Sequence, residues 1–252
     1  MNLHLGLESP ASAEKSATSS DYGLNNHGLK NLNSIYCNLH TASLYEEIVF
    51  RGEGKVMIDG PILMNTGKHT ARAANDKLVV KEDSTNGDIW WGEYNRPYPE
   101  SKFAVLFSRV QAYLQGKDVF VQDCYVGADE DYNLPIRIIT EYAWHSLFAR
   151  NMFIPIEKKD DHKHHVPDFT VISVPNFLAS PEMDATNSPT FIALNFAKRI
   201  AIIGGTQYAG EIKKSVFTVM NYLLPKQGVL SMHCSANMGD DGDTAIFFGL
   251  SG

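Results

Sequence analysis

The sequence predicts a mixed α/β fold of α+β character, in which helices alternate with the short strands of a mixed sheet. Three observations carry that expectation. Apolar residues recur with helical period over 101–115 and again over 209–224. Around these segments lie short apolar runs of strand length, bounded by Gly, Pro, Asn and Asp. The composition, 44% hydrophobic, 20% charged and 11% aromatic over 252 residues, is that of an ordinary globular chain. It leaves no room for wholesale disorder, a collagen repeat or a coiled coil. At ~150 residues per domain the length suits one or two domains.

Residues 1–40 are rich in Ser, Ala and Asn, show no period, and read as a loosely packed or partly helical leader. LYEEIVF (44–50) reads as a short helix closed by Gly52 and Gly54. VMIDGPILMN and KLVVKE read as strands around the polar loop TGKHTARAAND. In the helix over 101–115, Phe103, Leu106, Phe107, Val110, Tyr113 and Leu114 form one stripe, and Gly116 follows. VFVQDCYVG (119–127) and PIRIIT (135–140) read as strands and EYAWHSLFARNMF (141–153) as a helix. EKKDDHKHHVPD (157–168) reads as a solvated loop, and FTVISV, TFIALNF and RIAIIGG as three further strands. The second strong helix carries Ile212, Val216, Val219, Met220 and Leu223 on one face and is expected to end at Pro225. VLSMHCSAN reads as a short buried strand with a polar tail. TAIFFG (244–249), beyond the turn MGDDGD, reads as a parallel strand to be buried by partners in a following domain, so that alone it is expected to expose apolar surface and an unpaired edge.

The balance of 22 Lys and Arg against 29 Asp and Glu gives a net charge of −7. General nucleic-acid binding needs a basic face and is excluded on that ground. Cys37, Cys124 and Cys234 are an odd, widely spaced set without a C-x-x-C pair, which argues against a disulfide framework or zinc ribbon and for free thiols. No apolar run approaches the ~18 residues of a membrane span. The N-terminus has neither the apolar core of a secretion signal nor the arginines of a transit peptide. A cytoplasmic protein, monomeric or homo-oligomeric, is expected.

Several segments carry candidate chemistry. Gly204 and Gly205 end a strand and a helix follows, with Lys213 and Lys214 in its first turns. Cations are disfavoured at that end of a helix, and adjacent like charges lower an ammonium pKa. The pair therefore suits an anionic ligand or, where one amine is neutral, a metal. Arg72 sits in a small-residue turn from which its fork of N–H donors can grip a carboxylate. His233 of SMHCSAN is a candidate metal ligand at a strand end. Gly249–Gly252, following a strand, has the form of the first half of a phosphate-binding loop, in which backbone N–H groups surround phosphates. His162, His164 and His165 lie in the charged loop without a second ligand group, and Trp90, Trp91 and Trp144 read as core or interface aromatics.

Taken together, TGKHTAR, IWWGEYNRP, FVQDCYVGAD, TEYAWHSLFARNMF, PDFTVISVPNF, GGTQYAGEIKKSVFTVMNYLLP, MHCSANMG and FFGLSG resemble the ATP-dependent phosphoenolpyruvate carboxykinase family, in the family's order. The resemblance implies a substrate-side N-terminal domain, here 41–228, and the opening of a mononucleotide-binding domain, here 229–252. It implies conversion of oxaloacetate and ATP to phosphoenolpyruvate, CO2 and ADP, toward gluconeogenesis, with Mg2+ on the nucleotide and a second divalent ion, usually Mn2+. By motif, Arg72 is expected to bind the substrate carboxylate or CO2 and Tyr208 to contact substrate. Lys214 and His233 are expected to ligate the metal near the γ-phosphate, with Lys213 lining the same pocket. Gly249, Leu250, Ser251 and Gly252 match the start of the family's kinase loop.

The turn departs from the family pattern, with Ala71 in place of a glycine and Ala73–Ala74 in place of Ser-Pro. Ala71 is expected to strain the turn if its φ is positive. The chain as read stops before the loop's lysine. By itself it is therefore expected to lack turnover and to act at most as a dicarboxylate-binding or interaction module.

Overall fold

The computed structural model describes residues 20–156 and 159–249. The chain divides into two compact units, one ending at Val216 and the other beginning at Phe217.

The first unit is built on one large mixed sheet. Its strands are β1 (Ser34–Cys37), β4 (Lys77–Lys81), β5 (Arg96–Pro99), β6 (Asp118–Val126), β7 (Leu134–Thr140), β9 (Phe169–Val174), β10 (Phe191–Asn195) and β11 (Ile200–Gly204). Their spatial order is β1-β6-β7-β9-β11-β10-β4-β5, and β8 (Ile154–Pro155) also pairs with β6. β6/β7, β6/β8 and β10/β11 are antiparallel, whereas β1/β6, β7/β9, β9/β11, β4/β10 and β4/β5 are parallel. A separate antiparallel hairpin joins β2 (Gly54–Val56) to β3 (Ile62–Met64).

The central strands are continuous apolar runs because both faces of the sheet are covered. All residues of β9, β10 and β11 are buried. β6 shows the alternation directly. Val119 and Val121 join one core with Phe103, Leu106, Val110 and Leu114 of α2 (Glu100–Leu114). Phe120 joins another with Leu44 and Ile48 of α1 (Thr41–Phe50) and Ala143 and Leu147 of α3 (Ala143–Met152). Period-2 strands facing period-3.6 helices on both sides give this layering.

Four features differ from the sequence expectations. Residues 20–40 are not loose: β1 pairs with β6 in the register Ile35↔Val119, and Leu29, Tyr36, Cys37 and Leu39 are buried. β5, RPYP, has no apolar alternation and two prolines. It forms as an edge strand against β4, where missing N–H groups cost nothing. The 157–168 segment is not a simple solvated loop. It includes the short helix α4 (Lys159–His164), and His162 and His165 are buried. Of the tryptophans read as core or interface aromatics, Trp90 is 78% exposed and so is not in the core, while the Trp91 indole N–H donates to the Asn86 carbonyl at 3.0 Å.

The short helix α5 (Pro181–Asp184) precedes β10, and α6 (Gly210–Lys226) begins six residues after β11 ends. Ile212, Val216, Val219 and Met220 of α6 are buried as the stripe predicts, and the helix continues through Pro225. In the second unit, β12 (Ser235–Met238) and β13 (Thr244–Phe247) form an antiparallel hairpin, Ser235↔Phe247 to Met238↔Thr244. Every residue of both strands is exposed, which corrects the expectation of a buried strand from Val229. The apolar side chains of 244–248 are exposed as expected of the chain alone, but β13 pairs antiparallel rather than parallel. The antiparallel pairing follows from the short turn, since a parallel return needs a long crossover. None of the three cysteines, all among the described residues, forms a disulfide, and no described helix is long and apolar enough to cross a membrane.

Candidate functional site

A cleft of about 370 Å³ in the first unit is lined by Thr66, Arg72, Trp144, Phe148, Met152, Tyr208, Ala209, Gly210, Lys213 and Lys214. It thus brings Arg72 together with Tyr208, Lys213 and Lys214, which lie more than a hundred positions further along the chain.

The Arg72 turn connects β3 to β4 and is tied down at two points. The Thr190 hydroxyl donates to the Gly205 carbonyl at 3.0 Å, which leaves its oxygen to accept from His69 Nε2–H, also at 3.0 Å. Beyond Arg72, the Ala73 N–H donates to the Glu211 carboxylate at 2.6 Å. Ala71 has no positive φ, so alanine is accommodated there without the left-handed strain expected of it. The Arg72 side chain is exposed and forms no salt bridge among the described residues, which leaves its fork for a ligand.

The other wall is the segment between β11 and α6. Gly205 has φ +70°, and a Cβ there would meet the Pro189 carbonyl oxygen at 2.7 Å and Thr190 Cα at 2.8 Å. Only glycine makes this turn, after which the chain leads to Tyr208 on the cleft wall. A Cβ at Gly210 would lie 2.4 Å from the Tyr208 ring, so that glycine is the space the ring occupies. His145 holds the preceding residue. Its Nε2–H donates to the Gln207 carbonyl at 2.9 Å, and its Nδ1 accepts from Thr140 Oγ1 at 3.2 Å. Burial lowers the His145 pKa to about 4, which keeps the ring in that neutral tautomer.

α3 supplies the third wall. Trp144, Phe148 and Met152 recur at i, i+4 and i+8, while Ala143, Leu147 and Ala149 face the core. The α3 N-terminus is capped from outside: the Glu53 carboxylate accepts the N–H groups of Ala143 at 3.1 Å and Trp144 at 3.0 Å. These N–H groups have no partner within the helix. Burial raises the Glu53 pKa to about 7 against those two bonds.

The cleft is locally positive in an acidic chain. Burial lowers the Lys214 pKa, and the Arg72 guanidinium and Lys213 ammonium lower it further. That is the direction a metal-ligating lysine requires, because only the neutral amine has a lone pair to give. Lys77 is lowered chiefly by burial. Burial raises the pKa of Glu211, while the Ala73 N–H, Arg72 and Lys77 act in the opposite sense.

The remaining sequence candidates lie in the second unit or beyond. His233 is exposed and precedes β12 rather than ending a buried strand; its ring lies 5.7 Å from that of Phe217. Gly249 is exposed, and Leu250, Ser251 and Gly252 lie outside the described residues. Among the described residues no group of three His, Cys, Asp or Glu side chains could hold a metal ion. A lysine amine lies outside that definition, and the lowered Lys214 pKa favours the neutral form that a metal requires.

Sequence reasoning missed His69, Thr190, His145, Glu53 and Glu211. None carries a local signal, since each acts through a partner distant in sequence. The Trp144–Phe148–Met152 stripe was detectable by period, but period does not say whether a stripe faces core or cleft.

The phosphoenolpyruvate carboxykinase family profile (ATP type) matches residues 33–252. A phosphoenolpyruvate carboxykinase (ATP) of Geotalea uraniireducens is 57% identical over 231 residues, which is 91% of this chain and 43% of that protein. Those of Caldanaerobacter subterraneus subsp. tengcongensis and Thermus thermophilus are 55% and 49% identical, covering 89% and 86% of this chain and 43% and 42% of theirs. The chain therefore spans less than half the length of these curated relatives. By the profile and by this level of identity, the chain belongs to the ATP-dependent phosphoenolpyruvate carboxykinase family.

Proposed function

We propose that the cleft is the substrate side of a carboxykinase active site that converts oxaloacetate and ATP to phosphoenolpyruvate, CO2 and ADP in the cytoplasm. The observation that carries this reading is the convergence of Arg72, Tyr208, Lys213 and Lys214 on one cleft. On this reading residues 41–228 are the substrate domain and 229–252 open the nucleotide-binding domain, with Gly249, Leu250, Ser251 and Gly252 in its phosphate loop.

Arg72 grips a carboxylate of oxaloacetate through two parallel N–H donors. Tyr208, fixed by Gly210 and the His145–Gln207 bond, presents its hydroxyl from the opposite wall. Loss of CO2 leaves an enolate, and Lys213 with Arg72 stabilises its charge in a partly dry cleft. The Trp144–Phe148–Met152 wall excludes water from the enolate, which would otherwise be protonated. Lys214 in the first unit and, by its motif, His233 in the second would each serve as a ligand of a divalent ion, Mn2+ on this reading, which would supply charge neutralisation for the enolate and the transferred phosphoryl group, with Mg2+ on the nucleotide.

Isothermal titration of the purified chain with phosphoenolpyruvate and Mn2+ tests the site. Saturable binding that is lost in Arg72→Ala is expected, and absence of saturable binding overturns the reading. Formation of phosphoenolpyruvate from oxaloacetate, ATP and Mn2+ separates a chain that turns over from one that only binds.

A further inference from the structure

We propose that Glu211 is a positioning residue of this cleft: its carboxylate ties the backbone after Arg72 to the first turn of α6, so that Arg72 and Lys214 meet one ligand as a fixed pair. The inference rests on the reading of the cleft as a carboxylate and enolate site.

Glu211 is only 6% exposed, and carboxylates are rarely so buried unless partnered. Its partner is a backbone group 138 positions away, the Ala73 N–H. The peptide between Arg72 and Ala73 is planar, so fixing that N–H fixes the direction in which the chain leaves the Arg72 Cα. Glu211 and Lys214 stand three residues apart on α6 and share a face. One side chain therefore sets the separation between the base of Arg72 and the base of Lys214.

The choice of a backbone partner is itself informative. A carboxylate paired with the Arg72 guanidinium would compete with an anionic ligand for the same N–H fork. Glu211 instead holds the main chain and leaves the fork exposed. Its negative charge lies among Arg72 and Lys77, against the repulsion of Asp76, and offsets part of the positive charge gathered there. The His69–Thr190–Gly205 chain fixes the other end of the turn. Arg72 thus sits between two clamps, and the Glu211 clamp belongs to the helix that carries Lys213 and Lys214.

The experiment compares the full chain with Glu211→Ala, Glu211→Gln, Arg72→Ala and the double variant Arg72→Ala/Glu211→Ala. Two quantities are read: amide hydrogen exchange at Ala73, and phosphoenolpyruvate affinity in the presence of Mn2+. In Glu211→Ala, exchange at Ala73 is expected to accelerate and affinity to fall about tenfold. Glu211→Gln keeps an oxygen acceptor for the N–H and is expected to stay within about threefold of the parent in both. With Arg72 already removed, loss of Glu211 is expected to cost no further affinity, the signature of a residue acting through another. Unchanged exchange at Ala73 in Glu211→Ala overturns the tether. Equal weakening by Glu211→Ala with and without Arg72 overturns the positioning role. If the parent chain binds no phosphoenolpyruvate, the reading of the cleft falls, and exchange at Ala73 still decides the tether.

Discussion

The two units present their motif residues in opposite ways. In the first, each candidate stands on buried support: Glu211 and Thr190 hold the Arg72 turn, His145 and Gly210 fix Tyr208, and the α6 stripe anchors Lys213 and Lys214. In the second, His233 and Gly249 lie on exposed chain, and β12 and β13 pair with each other while Ile246, Phe247 and Phe248 face outward. An isolated two-stranded hairpin is marginal in water. The difference teaches that a shared family motif does not imply a shared state of organisation. The first unit positions its cations with its own side chains, whereas the described part of the second gives its candidates almost no supporting contacts.

The sharpest way to break this comparison is to remove one aromatic from each unit. Phe191 is fully buried, edge-on to Phe177 at 6.0 Å, and Phe191→Ala is expected to cost about 3–5 kcal/mol in denaturant unfolding. Phe247 is 61% exposed, and Phe247→Ala is expected to fall within about 0.5 kcal/mol of the parent. Equal losses would erase the distinction.

Acid titration probes buried groups of the first unit. Burial lowers the pKa values of His27 and His145 from 6.5 to about 4. Between those values the unfolded chain binds more protons, so stability falls as pH drops from 6.5 toward 4, by up to about 3 kcal/mol for each ring. Glu53 acts in the opposite sense. Its pKa is raised from 4.5 to about 7, so the folded chain binds the extra proton and stability falls as pH rises through that window. Glu53→Gln is expected to remove the alkaline-side loss, and His145→Gln to reduce the acid-side loss. Melting curves from pH 4 to 8 check both, and unchanged profiles would show that neither group titrates as its burial implies.

Glycines give a smaller contrast. Gly205→Ala meets both a positive φ and backbone atoms under 3 Å, and is expected to cost about 2 kcal/mol or more and to weaken ligand binding. Gly242, at φ +82° with nothing within 4 Å, meets only the conformational term, about 1 kcal/mol, when changed to alanine. The smallest effect on stability is expected from Phe247→Ser/Phe248→Ser. Light scattering should show less self-association at an unchanged melting temperature, because these rings form an exposed apolar patch beside a strand edge. A lowered melting temperature would show that the hairpin packs on something it needs.

Much of the fold was legible where period was strong. The α2 stripe places Phe103, Leu106, Val110 and Leu114 in the core as expected, and β9, β10 and β11 follow from FTVISV, TFIALNF and RIAIIGG. β1 and β5 were not legible, since an edge strand needs little apolar alternation and RPYP satisfies only its neighbour β4. His162 and His165 looked solvated because flanking charges masked two rings that turn inward. His165 packs edge-on to Tyr125 at 5.6 Å. In the site, the cationic residues were named by their motif, but Glu211, His145 and Glu53 were not. A lone buried carboxylate or imidazole has no local spacing to betray it.

The sequence by itself determined the helices and inner strands, the family, and the residue types that suit a carboxylate, an enolate and a metal. Those follow from short-range period and from ordered motifs, which are properties of neighbouring residues. Only the tertiary structure decided which residues meet. β10 lies between β4 and β11, and that order brings the chain entering β4 beside the chain leaving β11. There the Ala73 N–H finds Glu211, and Arg72 shares a cleft with Lys214. Strand order is set by burying both faces of one sheet at once, a condition on the whole unit that no window of sequence contains.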